Sequence, residues 1–177
     1  MHNDIEKIYV SESEINDMLN RLGKEITNDY RDKNPLSIGL LKGCLPFMSD
    51  LVKKLDFPLT LNYIKASSYQ GIESTGFITI EGKVPDVKGR DVIVIDDILD
   101  TGRTLDSIRR VLVENGANSV ELCVLLDKPE GRKFDIHAKY VGGPVPNEFV
   151  VGYGLDYNEH YRNLPYIGVL KPRVYQK

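Results

Sequence analysis

The sequence predicts an α/β fold with a mainly parallel central sheet flanked by helices. Three observations predict it. Strand-like apolar runs alternate with stretches of helical periodicity through the first two-thirds of the chain, the order that builds parallel sheets. The run Val92 to Ile95 (VIVI) is apolar on both faces, as suits a strand covered by helices on each side. After Asp127 glycine, proline and tyrosine rise and no clear helix follows, which marks a smaller appendage over one edge of the core.

Each element has a local reason. Ser11-Glu12-Ser13-Glu14 has the form of a capping box, in which hydroxyl and carboxylate satisfy free amides at a helix start. Ile15, Met18, Leu19, Leu22 and Ile26 follow with helical spacing, so residues 12 to about 30 read as an amphipathic helix. Leu36 to Leu41 (LSIGLL) reads as a buried strand, and Pro46 to Leu55 suits a helix with Pro near its first turn. Leu59 to Ser67 alternates enough to be a strand. Ser68 to Gly76 (SYQGIESTG), with two glycines and few apolar groups, reads as a mobile loop before a short strand, Phe77 to Glu81. Thr104 to Asn115 continues as a helix with Leu105, Ile108, Val111 and Leu112 on one face and Gly116 as its C-cap. Ser119 to Leu126 is another strand, and FVVGYGL and YIGVL are strand-like pieces of the appendage. A chain of 177 residues is most simply one domain with room for a hydrophobic core.

Composition narrows the function classes. Apolar residues at 41 % and charged residues at 28 % are ordinary for a soluble globular protein. A net charge of −3 argues against a protein that lives on nucleic acid. No apolar run approaches the roughly 20 residues needed to span a bilayer, and MHNDIEKIYV lacks a basic-then-apolar signal pattern. Cys44 and Cys123 lie far apart among apolar neighbours and read as two reduced, buried or partly buried thiols. A cytoplasmic protein without membrane or nucleic-acid partners follows.

The chemistry concentrates in VIVIDDILDTGRTL, residues 92–105, where an apolar strand runs into three carboxylates within five positions. Ligands of open α/β sheets bind outside the carboxyl ends of the strands, which is where Asp96 and Asp97 fall. Unpartnered buried carboxylates cost several kcal/mol or shift their pKa, so this pair should face a cleft and use hydroxyls or a divalent metal. Asp100-Thr101-Gly102-Arg103-Thr104 then turns into the next helix. Exposed amides at a helix start, with two Thr hydroxyls and a glycine for close approach, make a small anion nest. Neither GxxxxGK[ST] nor GxGxxG is present, so a Walker ATPase and a dinucleotide site are unsupported. What remains describes a holder for ribose 5-phosphate; a solvated strand end with an ordinary helix cap is the plainer alternative.

That run closely resembles the phosphoribosyl pyrophosphate (PRPP) signature of type I phosphoribosyltransferases, and within that family the chain is similar to the hypoxanthine-guanine group. Leu41-Lys42-Gly43 resembles the group's pyrophosphate loop, Ser67-Ser68-Tyr69 its mobile catalytic loop, and Val150 to Arg162 (VVGYGLDYNEHYR) its purine and metal segment. The matches fall in the family's order across residues 41–162.

The resemblance implies a type I phosphoribosyltransferase fold with a small hood subdomain. The core would cover about residues 35–128, and the hood the N-terminal segment with about residues 129–177. It implies Asp100 as the general base for the purine N7 proton. Asp96 and Asp97 would hold the ribose hydroxyls directly or through Mg²⁺, with Asp96 standing where the family often has Glu. The PRPP signature as a whole would comprise Asp96, Asp97, Ile98, Leu99 and residues 100–104, the last five (Asp100, Thr101, Gly102, Arg103, Thr104) cradling the 5-phosphate. Lys42, the backbone of Gly43 and Arg162 would meet pyrophosphate, with a non-proline cis peptide at Leu41-Lys42. Ser68 and Tyr69 would belong to the closing loop. Lys128 would donate to the purine 6-oxo group, Phe149 would stack on the base, and Val150 and Asp156 would offer it backbone contacts. Asp156 would also bind a second Mg²⁺. By spacing alone Lys128 is a solvated strand end, and Phe149 and Val150 are core residues.

The implied reaction is displacement of pyrophosphate from PRPP by hypoxanthine or guanine through an oxocarbenium-like transition state. A lysine donor at position 128 disfavours adenine, whose amino group would leave the ammonium unpaired. Two rivals are a PRPP-sensing regulator and a transferase for xanthine or another base. The apolar side of a small α/β core, with the resemblance, points to a homodimer or homotetramer.

Overall fold

The computed structural model describes residues 1–68, 78–145 and 147–176. The expected mobile loop at Ser68 to Gly76 lies outside the described residues except for Ser68, as do Tyr69 and Phe77.

Ile5–Val10 forms β1 and Glu12–Tyr30 forms α1. The capping box is made in both directions: Glu14 N donates to Ser11 Oγ at 3.3 Å, and Ser11 N donates to Glu14 Oε2 at 2.8 Å. Leu36–Leu41 is β2, Leu45–Leu51 is α2, Thr60–Ser68 is β3 and Ile78–Glu81 is β4. Asp91–Leu99 is β5, Arg103–Glu114 is α3, Ser119–Asp127 is β6 and Tyr140–Pro144 is β7. Val150–Val151, Ile167–Leu170 and Pro172–Tyr175 follow as β8, β9 and α4.

The main sheet has the order β4-β3-β2-β5-β6-β7, with every pair parallel except β3 with β4. Its two faces carry separate cores. Ile93 and Ile95 join Ile15, Leu22, Phe47 and Met48 on the side of α1 and α2, whereas Val92 and Val94 join Leu105, Ile108 and Leu112 on the side of α3. The two-residue side-chain period of a strand explains this division. Each fully buried Leu or Ile contributes roughly 1.5–3 kcal/mol, so β5 is pinned from both sides. Gly39 of β2 lets α2 approach, because a Cβ there would run into Met48 Sδ and lie 2.9 Å from Cys44 Sγ.

A second, antiparallel sheet of β1-β9-β8 joins the N-terminal strand to the C-terminal region. Two boundaries and two whole strands differ from expectation. The strand expected over 92–95 runs to Leu99, because Asp96, Ile98 and Leu99 continue the ladder with Val124, Leu126 and Asp127. The helix expected over 46–55 ends at Leu51 and tightens into a 3₁₀ turn over Val52–Lys54. Strands β1 and β7 were not expected from the sequence. Among the described residues no helix is long and apolar enough to cross a membrane.

Candidate active site

The parallel strands β2, β5 and β6 end on one edge of the sheet, and the stretches of chain that follow them meet there. After β2 comes the cis peptide Leu41-Lys42, then Gly43. A Cβ on Gly43 would collide with the Asp97 carboxylate, so a bare backbone here is what lets the two loops meet. Gly154 closes the same contact from above: its φ of 103° is in the left-handed region that favours glycine, and its own Cβ would strike the Gly43 carbonyl. The pyrophosphate-loop candidate thus lies between β5 and the chain that follows β8.

Asp96 and Asp97 are half-buried at the end of β5. Asp97 N donates to Asp96 Oδ1 at 3.0 Å, and Ile98 N donates to Asp97 Oδ1 at 2.8 Å. Burial pushes both carboxyls up, that of Asp96 further through the neighbouring Asp97 charge, while Ile98 N–H and Arg162 oppose the rise in Asp97. Two adjacent carboxylates in this state are under-neutralised, and hard oxygen donors of this kind suit Mg²⁺, which keeps waters and substrate oxygens in its other positions. The residues therefore fit the metal that the resemblance implies. Ile98 and Leu99 turn their side chains into the two cores, so they serve as the frame of the strand and leave only backbone to a ligand.

The turn after β5 is the candidate anion site, and a glycine starts its helix. Gly102, with φ 84°, is the N-cap of α3 and its carbonyl starts the helical ladder by accepting from Asp106 N at 2.9 Å. The chain reverses there without a Cβ, which would meet Ile136 Cγ2 at 2.6 Å. Thr101, Arg103 and Thr104 are half-buried around it, and the start of the α3 dipole favours negative charge. Asp100 stands at the head of this turn, with Gly131 packed so closely that a Cβ there would touch its carboxylate.

Lys128 follows β6 directly, and its backbone N–H donates to Leu99 O at 2.9 Å. That bond sets the lysine beside the carboxylate turn. Phe149 is 38 % exposed; its ring stacks on Tyr175 at 4.9 Å and meets the edge of Tyr157 at 5.6 Å. Val150 is buried in β8, so its side chain belongs to the core. Asp156 is engaged through both oxygens, by Arg162 Nη2 at 2.8 Å and Glu159 N at 2.9 Å. Arg162 also donates to Gly154 O at 2.7 Å, and its buried Nε has no partner among the described residues. Among the described residues Asp156 does not join Asp96 and Asp97 in one cluster of three carboxylates, which leaves it a separate metal candidate. Ser68 ends β3.

Two residues of the site carried no expectation. Glu159 pairs with Lys42 at 2.7 Å and Arg162 at 3.3 Å. Arg132 binds the carboxylate turn through two backbone oxygens, Asp100 O and Leu99 O. Nothing in the local sequence distinguishes either from an ordinary surface charge.

The sequence model of the phosphoribosyl transferase domain matches residues 9–158. A hypoxanthine-guanine phosphoribosyltransferase of Streptococcus pneumoniae is 51 % identical over 177 residues, covering 99 % of this chain and 98 % of that protein. One of Staphylococcus aureus is 50 % identical, covering 99 % of each. The bifunctional protein TilS/HprT of Listeria monocytogenes is 51 % identical over 100 % of this chain, and the chain spans 28 % of that protein's length. In structure, a hypoxanthine phosphoribosyltransferase of S. aureus superposes with a TM-score of 0.96 at 49 % identity, over 100 % of this chain and 97 % of that one. A hypoxanthine phosphoribosyl transferase of Trypanosoma cruzi follows at TM-score 0.92 and 36 % identity, over 99 % and 96 %.

Proposed function

The chain belongs to the phosphoribosyl transferase family, and from that membership we propose that it is a purine salvage enzyme transferring the 5-phosphoribosyl group of PRPP to hypoxanthine, guanine or both. The products are IMP or GMP and pyrophosphate. The observation that carries the proposal is the convergence of Gly43 and Asp97 beside the Asp100–Thr104 turn. In this reading the convergence supplies a pyrophosphate wall, a ribose wall and a phosphate nest side by side.

In this reading the bond from ribose C1 to the pyrophosphate oxygen breaks as a bond from C1 to a purine ring nitrogen forms, and Asp100 accepts the proton from N7. Positive charge grows on the ribose beside the half-buried Asp96 and Asp97, and negative charge leaves toward Lys42 and Arg162. Asp96, Asp97 and, separately, Asp156 would hold Mg²⁺, which neutralises phosphate charge when bound. The 5-phosphate rests on the amides and hydroxyls of residues 100–104. Lys128 donates to the 6-oxo oxygen, and Phe149 and the backbones of Val150 and Asp156 receive the ring. Ser68 and Tyr69 belong to the segment that excludes water. The antiparallel sheet and the chain after Lys128 act as a hood over a core of about residues 35–128. We place the protein in the cytoplasm as a homodimer or homotetramer.

The test is a steady-state assay with PRPP, Mg²⁺ and each of hypoxanthine, guanine, xanthine and adenine, run beside Asp100→Asn. Turnover of 6-oxopurines but not adenine, with kcat down about 10²- to 10⁴-fold in the variant, is expected. Adenine turnover would overturn the role of Lys128. PRPP binding without any turnover would overturn the enzyme reading in favour of a ligand sensor.

A further inference from the structure

Arg132 lies on the 3₁₀ exit from β6, and its side chain is only 13 % exposed. Its Nε donates to Asp100 O at 2.9 Å and its Nη2 to Leu99 O at 3.3 Å. Nη1 donates to Ile136 O, and the guanidinium pairs with the Asp127 carboxylate. Four acceptors from three stretches of chain are thus gathered on one planar group: the end of β5, the end of β6 and the loop that follows.

The neighbours of Arg132 act in the same direction. Lys133 N and Phe134 N donate to Thr101 O at 2.9 and 3.2 Å. Ile136 packs under Gly102, the Phe134 ring lies 5.9 Å from the Arg103 guanidinium, and Gly131 abuts the Asp100 carboxylate. Every residue of the turn from Asp100 to Arg103 therefore rests on residues 131–136. The other end of the same stretch is Lys128, tied through its amide to Leu99 O.

We propose that Arg132 is a positioning residue that locks the general base Asp100 and the purine-side Lys128 into one block. The proposal rests on the reading of this site as a phosphoribosyl-transfer site. The arrangement needs a rigid fork with several donors, and a lysine at 132 would present a single head to the same acceptors. A displacement of about 1 Å in a reacting group costs on the order of 100-fold in rate, so loss of the fork should appear in kcat.

The test compares Arg132→Gln, Arg132→Lys and Gly131→Ala with wild type for kcat, KM for hypoxanthine and PRPP affinity, well below each melting temperature. Expected are kcat losses of about 100-fold in both Arg132 variants, with a modest rise in hypoxanthine KM as Lys128 loosens and PRPP affinity little changed. Gly131→Ala should lose kcat in the same way, because its methyl group displaces the Asp100 carboxylate. If Arg132→Gln does not fold, Arg132→Lys and Gly131→Ala carry the test. Wild-type kcat in the folded Arg132 variants, or losses that follow PRPP affinity instead of kcat, would overturn the positioning role. An inactive wild-type chain would remove the reaction and this role with it, whereas an active wild type with unaffected variants would remove this role alone.

Discussion

Lys42 Nζ lies 2.7 Å from a carboxylate oxygen of Glu159, joining the loop after β2 to a turn that is 117 residues distant in sequence. The other oxygen of Glu159 meets Arg162 at 3.3 Å. One carboxylate therefore bridges the two cations that the proposed reaction assigns to pyrophosphate, and Lys42 in turn holds the Glu159 carboxyl below its ordinary range.

Replacing Glu159 by Gln should free Lys42 and leave Arg162 paired with Asp156. Pyrophosphate is then expected to inhibit more strongly, and KM for PRPP to fall a few-fold, the modest size that a solvent-exposed ion pair allows. Product-inhibition kinetics measure it. An unchanged pyrophosphate inhibition constant would show that the bridge is incidental.

Gly43→Ala should cost at least about 100-fold in kcat/KM while the fold survives. The added methyl group can be accommodated only if Asp97 moves, and Asp97 then gives up its 2.8 Å bond from Ile98 N. Kinetics paired with a melting curve distinguish this from simple destabilisation. Near-normal kcat/KM would mean that the loop shifts freely and that its contact with Asp97 is not needed.

Asp96 and Asp97 oppose stability at the place where the proposed reaction uses them. Burial raises their folded-state pKa, so folding is penalised at pH values above the folded-state pKa and relieved as pH falls through it. In metal-free protein Asp97→Asn should raise the thermal midpoint at neutral pH, by about 2–4 °C for each kcal/mol relieved in a chain of this size. The margin should shrink on acidification, and Mg²⁺ with pyrophosphate should stabilise wild type more than the variant. A variant midpoint at or below wild type at neutral pH would contradict this account.

Both cysteines should be silent toward thiol reagents in the native state. Burial pushes the Cys44 thiol up to about 12, with the Asp96 and Asp97 charges adding to the shift. That value leaves a thiolate fraction on the order of 10⁻⁵ at neutral pH. Cys123 is fully buried, and burial raises it too. Titration with Ellman's reagent is expected to find no fast thiol before denaturation and two after it; rapid native labelling would refute the burial of at least one.

Local signals account for the elements that the sequence revealed. The capping box at Ser11–Glu14, the helical stripe of α1 and the two-faced apolar run of β5 each depend on neighbours within a few residues, so composition and spacing disclose them. Strand β1 (IEKIYV) buries only Val10 fully and exists by pairing with β9 across most of the chain. Strand β7 contains Gly142 and Gly143, which lower strand propensity, yet Gly142 fits because its missing Cβ makes room for Leu125 O on β6.

The same division runs through the site. By itself the sequence determined the α/β class, the carboxylate-rich strand end, the turn that caps α3 and the family resemblance, because these are written in contiguous residues. The tertiary structure alone decided that Gly43 meets Asp97, that Glu159 spans Lys42 and Arg162, and that Arg132 grips the Asp100 turn. Apart from the local Glu159–Arg162 contact, those pairings join residues about 30 to 120 positions apart, and their energy comes from desolvation, charge and close packing. None of these acts until the strands have brought the loops together.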